Sequence, residues 1–416
     1  MKTLGIYIHI PFCAKKCAYC DFYSLPGKTQ HMPRYAHAVI EHIKESSRQL
    51  SGYYIDTVYF GGGTPSYFGA DRLIDIFEAL KQNGQVLIDS EVTLEANPDS
   101  TSKADLIKLR KAGFNRISFG VQDTDDESLK KLGRLHTFAA AREAVENARD
   151  AGFKNISIDL MYGLPSQTKE SWAATLAKAL TLKPDHISCY GLKLAPGTEM
   201  YIYNNSPFIP DDDTQADMYL YAVEYLERFG YRQYEISNFS KKGYESAHNL
   251  KYWTGQEYLG FGAAAYSYIG GMRFGNIADI DGYTTNIVSG EKVIEQIEKI
   301  NAFEKASEYL MLGLRTTRGI CESEYRAIYP ADFSLIQEKL KICEKHGWAV
   351  NVNDRWNFTP QGFLLSNILI GQILDVQSEQ GYVTARPWKS EEDLEKIKHE
   401  VLHQRDLGEE TIFHGV

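Results

Sequence analysis

The chain has 416 residues, 43% of them apolar, and a formal net charge of −10. That length allows two or three domains, and the acidic balance argues against a nucleic-acid reader, whose contact face needs clustered Lys and Arg. No apolar run reaches the ~18 residues of a membrane-spanning helix, and Met1-Lys2-Thr3-Leu4 runs into a strand pattern with no signal-peptide signature, so a cytoplasmic protein is expected.

Strand patterns over Leu4–Ile10, Thr57–Phe60, Glu91–Ala96, Arg116–Val121, Ile156–Met161 and His186–Leu192 alternate with helical patterns near 33–50, 71–82, 103–112, 138–151 and 170–182. Two joints, Lys111-Ala112-Gly113-Phe114-Asn115 and Asp150-Ala151-Gly152-Phe153-Lys154-Asn155, resemble each other as repeated units should. Six such units predict parallel strands with right-handed crossovers, in a doubly wound sheet or a barrel. The unusual polar residues all fall at strand C-termini: Cys13, the Gly61-Gly62-Gly63-Thr64-Pro65 run, Glu95, Gln122, Asp159 and Lys193. In a barrel those ends share one mouth. The expected fold is therefore α/β, an incomplete (β/α)6 barrel over residues 1–205.

Beyond residue 205 the pattern changes. Asp211-Asp212-Asp213 opens a helix, where acids suit the positive end of the dipole, and Gly230 stops it. Tyr231 to about Tyr283 reads as loop-rich and aromatic, within a connecting segment over 206–295. Residues 296–375 read as mostly helical with a hairpin turning at Asn353-Asp354, a winged-helix-like unit. Thr359-Pro360 opens its next helix as N-cap and first-turn proline. The polar tail, 376–416, carries no assignable role.

Three of the six cysteines crowd into Cys13-Ala14-Lys15-Lys16-Cys17-Ala18-Tyr19-Cys20. A local cluster without a secreted framework reads as a metal site. Three thiolates at C-x3-C-x2-C spacing can wrap one [4Fe–4S] cubane and leave its fourth iron open. That iron can chelate S-adenosylmethionine. The alternative is a zinc site on the same cysteines plus His9, although closed zinc sites usually pair two C-x2-C knuckles.

The cysteine loop after the first strand, with Tyr19 before the third cysteine, resembles the radical S-adenosylmethionine superfamily, and Gly61–Pro65 resembles its second motif. Tyr7-Ile8-His9-Ile10-Pro11-Phe12-Cys13 is similar to oxygen-independent coproporphyrinogen III oxidases and to HemW-type heme chaperones, over residues 7 to about 374. The resemblance implies that Cys13, Cys17 and Cys20 hold the cluster. It implies adenosylmethionine contacts from Tyr7, Tyr19, Gly62, Gly63, Thr64, Glu95, Gln122, Arg134 and Asp159, with Lys193 a looser match.

Two functions remain open: an oxidase that decarboxylates coproporphyrinogen III, and a chaperone that binds heme and delivers it to hemoproteins. Phe22 stands where the oxidases resemble one another in a further cysteine, and twelve residues precede Cys13 where they carry a longer lead. His248-Asn249-Leu250-Lys251-Tyr252-Trp253 matches the HNxxYW motif of the HemW type, which implies His248 as a heme ligand; neutral imidazole is a standard axial ligand. The alternative for His248 is a capping or hydrogen-bonding histidine. Tyr266 stands where many relatives have histidine, a departure that bears on heme affinity. The reading is the HemW type, with recipient hemoproteins as partners. The resemblance also implies cluster-promoted homodimers, and any membrane contact would be peripheral.

Overall fold

The computed structural model describes residues 2–379, so the tail from residue 380 lies outside the described residues. Strands and helices alternate as β1 (Lys2–Ile10), α1 (Met32–Glu45), β2 (Tyr53–Gly62), α2 (Ala70–Asn83), β3 (Gln85–Ala96), α3 (Lys103–Ala112), β4 (Arg116–Gln122), α4 (Asp126–Lys131), α5 (Phe138–Asp150), β5 (Asn155–Tyr162), α6 (Lys169–Leu180) and β6 (His186–Gly191). The six strands pair in sequence order, each parallel to the next. A doubly wound sheet would reverse its order at a switch point; this one does not, and it is the expected partial barrel.

Local chemistry sets the boundaries. Ser102, Thr137 and Thr168 cap α3, α5 and α6 through their side-chain oxygens. The two similar joints end α3 and α5 alike. Gly113 and Gly152 take φ of 118° and 97°, and Phe114 and Phe153 fold back into the core. Ile6, Ile8, Val58, Phe60, Leu94, Ile117, Phe119 and Ile158 lie in the buried core between strands and helices. Their alternates in the strands, among them Tyr7, Tyr59, Glu95, Ser118 and Asp159, turn to the barrel interior.

The segment expected as loop-rich is instead built of strands. After α7 (Asp212–Arg228) come β7 (Arg232–Gln233), β8 (Asn238–Ser240), α8 (Ala247–Trp253), β9 (Tyr258–Phe261), β10 (Tyr266–Ile269), β11 (Met272–Asn276), α9 (Ile280–Ser289) and β12 (Ile294–Lys299). β9 pairs parallel to β1, β10 to β12 follow it antiparallel, and β8 then β7 extend the other edge beyond β6. The 206–295 segment therefore belongs to the barrel sheet. These strands escape pattern reading because they are short, and because Leu259, Gly260 and Phe261 of β9 are all buried, so no polar alternation marks them.

Helices α10 (Ala302–Gly313), α11 (Glu322–Ile328) and α12 (Ser334–Lys345) precede the wing, β13 (Ala349–Val352) and β14 (Arg355–Phe358), then α13 (Pro360–Leu364) and α14 (Ser366–Glu379). Asn353 and Asp354 both take positive φ, 53° and 61°, as the two-residue hairpin turn requires. Thr359 caps α13, with Pro360 in its first turn. The unit packs around Leu310, Ile336, Leu340, Trp356, Phe358 and Ile373, and Tyr219 of α7 joins the same core.

Candidate functional site

The cysteine loop leaves β1 at the barrel mouth and is pinned on three sides. Gly63 and Thr64 donate their N–H groups to the carbonyls of Ile10 and Phe12, at 2.9 Å each. Ala18 donates to Leu132, after α4, and accepts from Met200. The Thr64 hydroxyl donates to Cys13 Sγ at 3.4 Å, and the Arg134 guanidinium donates to Cys17 Sγ at the same distance. Donors aimed at sulfur suit thiolates that carry charge. Burial raises the Cys13 and Cys20 thiols, with the Thr64 hydroxyl pulling Cys13 back.

His9 does not join the sulfurs. Its Nδ1 meets the Tyr7 hydroxyl at 3.0 Å and its Nε2 the Tyr23 carbonyl at 3.1 Å, so the zinc set that needs it is not assembled. Three cysteines on one short loop, two receiving donors, are the ligand number for a cubane with one open iron.

The glycine run beside them has to be glycine. Gly62 takes φ of 114°, and a Cβ there would sit 2.5 Å from the His9 ring; at Gly63 it would meet Pro11 and Phe12 backbone at 2.9 Å. Bare backbone is thus held close to the sulfur loop. Gly62 N–H donates to Glu95 Oε2 at 3.1 Å, and the Tyr59 hydroxyl donates to Oε1 at 2.7 Å. Burial raises Glu95 to about 7.

Arg134 also donates to Asn97 Oδ1 at 2.7 Å and to the Gly120 carbonyl at 2.6 Å, and Asn97 Nδ2 reaches Thr64 at 3.4 Å. Gln122 closes β4 at a bulge, in the left-handed region at φ 67°, a conformation that costs energy for a non-glycine residue. Asp159 accepts from Ser118 at 3.2 Å and from Ser188 at 2.7 Å. Tyr19 is held within the loop, its hydroxyl raised by burial. The structure brings these residues to one mouth. Lys193 lies exposed beyond β6, outside this network. Tyr59 and Asn97 join the site without having been singled out. Tyr59 follows from period-2 alternation with Gly61, and Asn97 from its place two residues after Glu95.

His248 is engaged inside the protein. It lies in the first turn of α8, wholly buried, with Nδ1 2.9 Å from Thr57 Oγ1 and Nε2 2.8 Å from the Tyr252 hydroxyl. Its ring stacks on Tyr59, centroids 5.2 Å apart. The backbone N–H groups of Ala247 and His248 donate to Glu91, and buried Lys251 pairs with Asp56 at 2.8 Å. Both nitrogens make hydrogen bonds within the protein, as the hydrogen-bonding alternative expects. Trp253 of the same motif lines a cleft of about 50 Å³ against α10, well below the ~300 Å³ at which ligand pockets begin.

Comparison with known proteins fits this geometry. Residues 7–179 match the radical SAM superfamily model. The chain is 36% identical to the heme chaperone HemW of Bacillus subtilis over 372 residues, covering 88% of this chain and 98% of that protein. The chain belongs to the HemW family. HemW of Lactococcus lactis is 33% identical and that of Escherichia coli 31%, with 90% and 89% of this chain covered and 98% of each protein. In fold, the chain resembles the coproporphyrinogen III oxidase HemN of Escherichia coli, a radical SAM enzyme, with a TM-score of 0.79, 24% identity and 89% of both chains covered. Membership of the superfamily implies a [4Fe–4S] cluster and adenosylmethionine. Among the described residues, no helix is long and apolar enough to cross a membrane.

Proposed function

We propose that this HemW-family chain is a cytoplasmic heme chaperone: it holds a [4Fe–4S] cluster on Cys13, Cys17 and Cys20, binds S-adenosylmethionine at the barrel mouth, and passes heme to a recipient hemoprotein. The observation that carries the cofactor half is the pair of donors, Thr64 and Arg134, on Cys13 and Cys17 beside the bare Gly62-Gly63 backbone. When bound, such a cluster supplies an electron and an open iron. The residues of the chain orient the adenosylmethionine. Gly62 and Gly63 admit its amino-acid end, and Tyr7 and Tyr19 flank it. Thr64, Glu95, Gln122, Arg134 and Asp159 offer polar contacts. Exposed Lys193 contributes only if it swings inward.

The names of the relatives support heme as cargo, and Phe22 in place of a fourth cysteine supports a chaperone over an oxidase. The test is one anaerobic preparation assayed for heme uptake by absorbance and for decarboxylation of coproporphyrinogen III. Heme uptake without protoporphyrinogen is expected. Decarboxylation at turnover rates would reverse the assignment.

A further inference from the structure

The two hydrogen bonds to cysteine sulfur meet at one side chain. Thr64 donates to Cys13 Sγ and Arg134 to Cys17 Sγ, at 3.4 Å each. Asn97 touches both donors: its Oδ1 accepts from Arg134 Nη2 at 2.7 Å, and its Nδ2 donates to Thr64 Oγ1 at 3.4 Å. We propose that Asn97 is a positioning residue for the iron–sulfur cluster, a bridge that holds one donor on each of two thiolates and thereby raises the cluster's reduction potential, an assignment that rests on the cluster reading above.

Local chemistry aims the Asn97 side chain. Pro98 restricts the residue before it to extended backbone, and Asn97 takes φ of −94° and ψ of 143°. Its N–H donates to the Ser66 hydroxyl at 3.1 Å, and its carbonyl accepts from the Ser100 N–H and hydroxyl at 3.0 Å each. With the backbone tied on both sides, only the amide is left to turn. A guanidinium can only donate, so Oδ1 faces Arg134 and the NH2 group faces Thr64. That orientation sets the polarity of the Thr64 hydroxyl. The amide N–H occupies an oxygen lone pair, and the single hydroxyl proton is directed to the Cys13 sulfur. On the other arm, Asn97 and the Gly120 carbonyl, at 2.6 Å, fix the Arg134 plane while Nη1 reaches Cys17. Arg134 Nε is buried with no hydrogen bond among the described residues, so one donor remains for adenosylmethionine.

Reduction adds an electron to a cluster whose thiolates already carry charge. Donors on the sulfurs, one of them a half-buried cation, stabilise the added charge, and hydrogen bonds to sulfur are among the factors that set a cluster's potential. A side chain that served only the turn at Pro98–Ser100 would affect stability and leave the potential alone. That turn is already held by the Asn97 carbonyl.

The test is a redox titration, followed by electron paramagnetic resonance, of the anaerobically purified full chain with its cluster in place and no adenosylmethionine. Asn97→Ala and Asn97→Leu are each expected to lower the ratio of reduced to oxidised cluster about tenfold at a fixed potential, a fall of ~59 mV for one electron. Thr64→Val should give part of that fall by itself. Added to Asn97→Ala it should give little more, because both remove the same donor. A potential that neither Asn97 variant moves, in chains with full iron and sulfide, would overturn the bridge and leave the cluster reading standing; so would shifts that add in full. Should neither Asn97 variant assemble a cluster, Thr64→Val decides, and a loaded chain with the wild-type potential overturns the bridge. A wild-type chain that assembles no cluster would instead sink the cofactor reading.

Discussion

Glu95 shows how one residue can serve a site at a cost to the fold. It sits at the end of β3, held by Tyr59 and by the Gly62 N–H, and burial raises it from 4.5 to about 7. A carboxyl whose folded pKa lies above its unfolded one binds more protons when folded, so its contribution is full below about pH 4.5 and is lost as pH rises through about 7. Glu235, buried on the loop between β7 and β8, is raised to about 7 for the same reason and acts in the same direction. Urea unfolding of the cluster-free protein should therefore show stability falling between pH 4.5 and 7, by roughly 3 kcal/mol per group at most. Glu95→Gln should flatten part of that slope. A slope that Glu95→Gln leaves untouched would contradict the assignment. At this scale the sequence is informative where chemistry is odd for its position: Glu95 and Gln122 are polar groups closing apolar strands, Asp159 is a carboxylate within one, and they converge. Tyr59 and Asn97 escape notice because an aromatic in a strand and an Asn before Pro98 look ordinary. Alternation and spacing put them on the right face, and the folded register sets them on Glu95 and Arg134.

Among the elements, α8 is the one whose meaning changes on folding. As sequence, His248 to Trp253 reads as a ligand motif. As structure, it is a short helix fastened to the barrel by the Glu91 carboxylate of β3 on its first N–H groups, the Lys251–Asp56 pair and the His248–Thr57 hydrogen bond to β2. A Cβ on Gly5 of β1 would meet the Lys251 side chain at 2.8 Å, a measure of how closely the helix is pressed in. His248→Ala would remove two buried hydrogen bonds and the Tyr59 stacking partner, at a cost of about 2–4 kcal/mol. Loss of less than about 1 kcal/mol in urea unfolding would show that the helix is not so fastened. From β1 to β6 the strand C-termini are legible to within two residues, whereas β2 and β3 begin four and six residues before the pattern shows them. Strands of two to six residues that pair at the sheet edges are not legible, because tertiary pairing rather than local propensity defines them.

For the whole molecule, the twelve-stranded sheet divides the labour. The six in-order parallel strands gather the sulfur loop and its polar contacts at their C-terminal ends. The later strands wrap the edges. The measurement that tests the account most directly is iron and acid-labile sulfide content, with electron paramagnetic resonance, on anaerobically purified protein. The account predicts ~4 iron and ~4 sulfide per chain, the stoichiometry of a cubane. It also predicts a reduced-cluster signal that changes on adding adenosylmethionine and disappears in Cys13→Ser, Cys17→Ser or Cys20→Ser. Zinc in place of iron, or iron without sulfide, would contradict it.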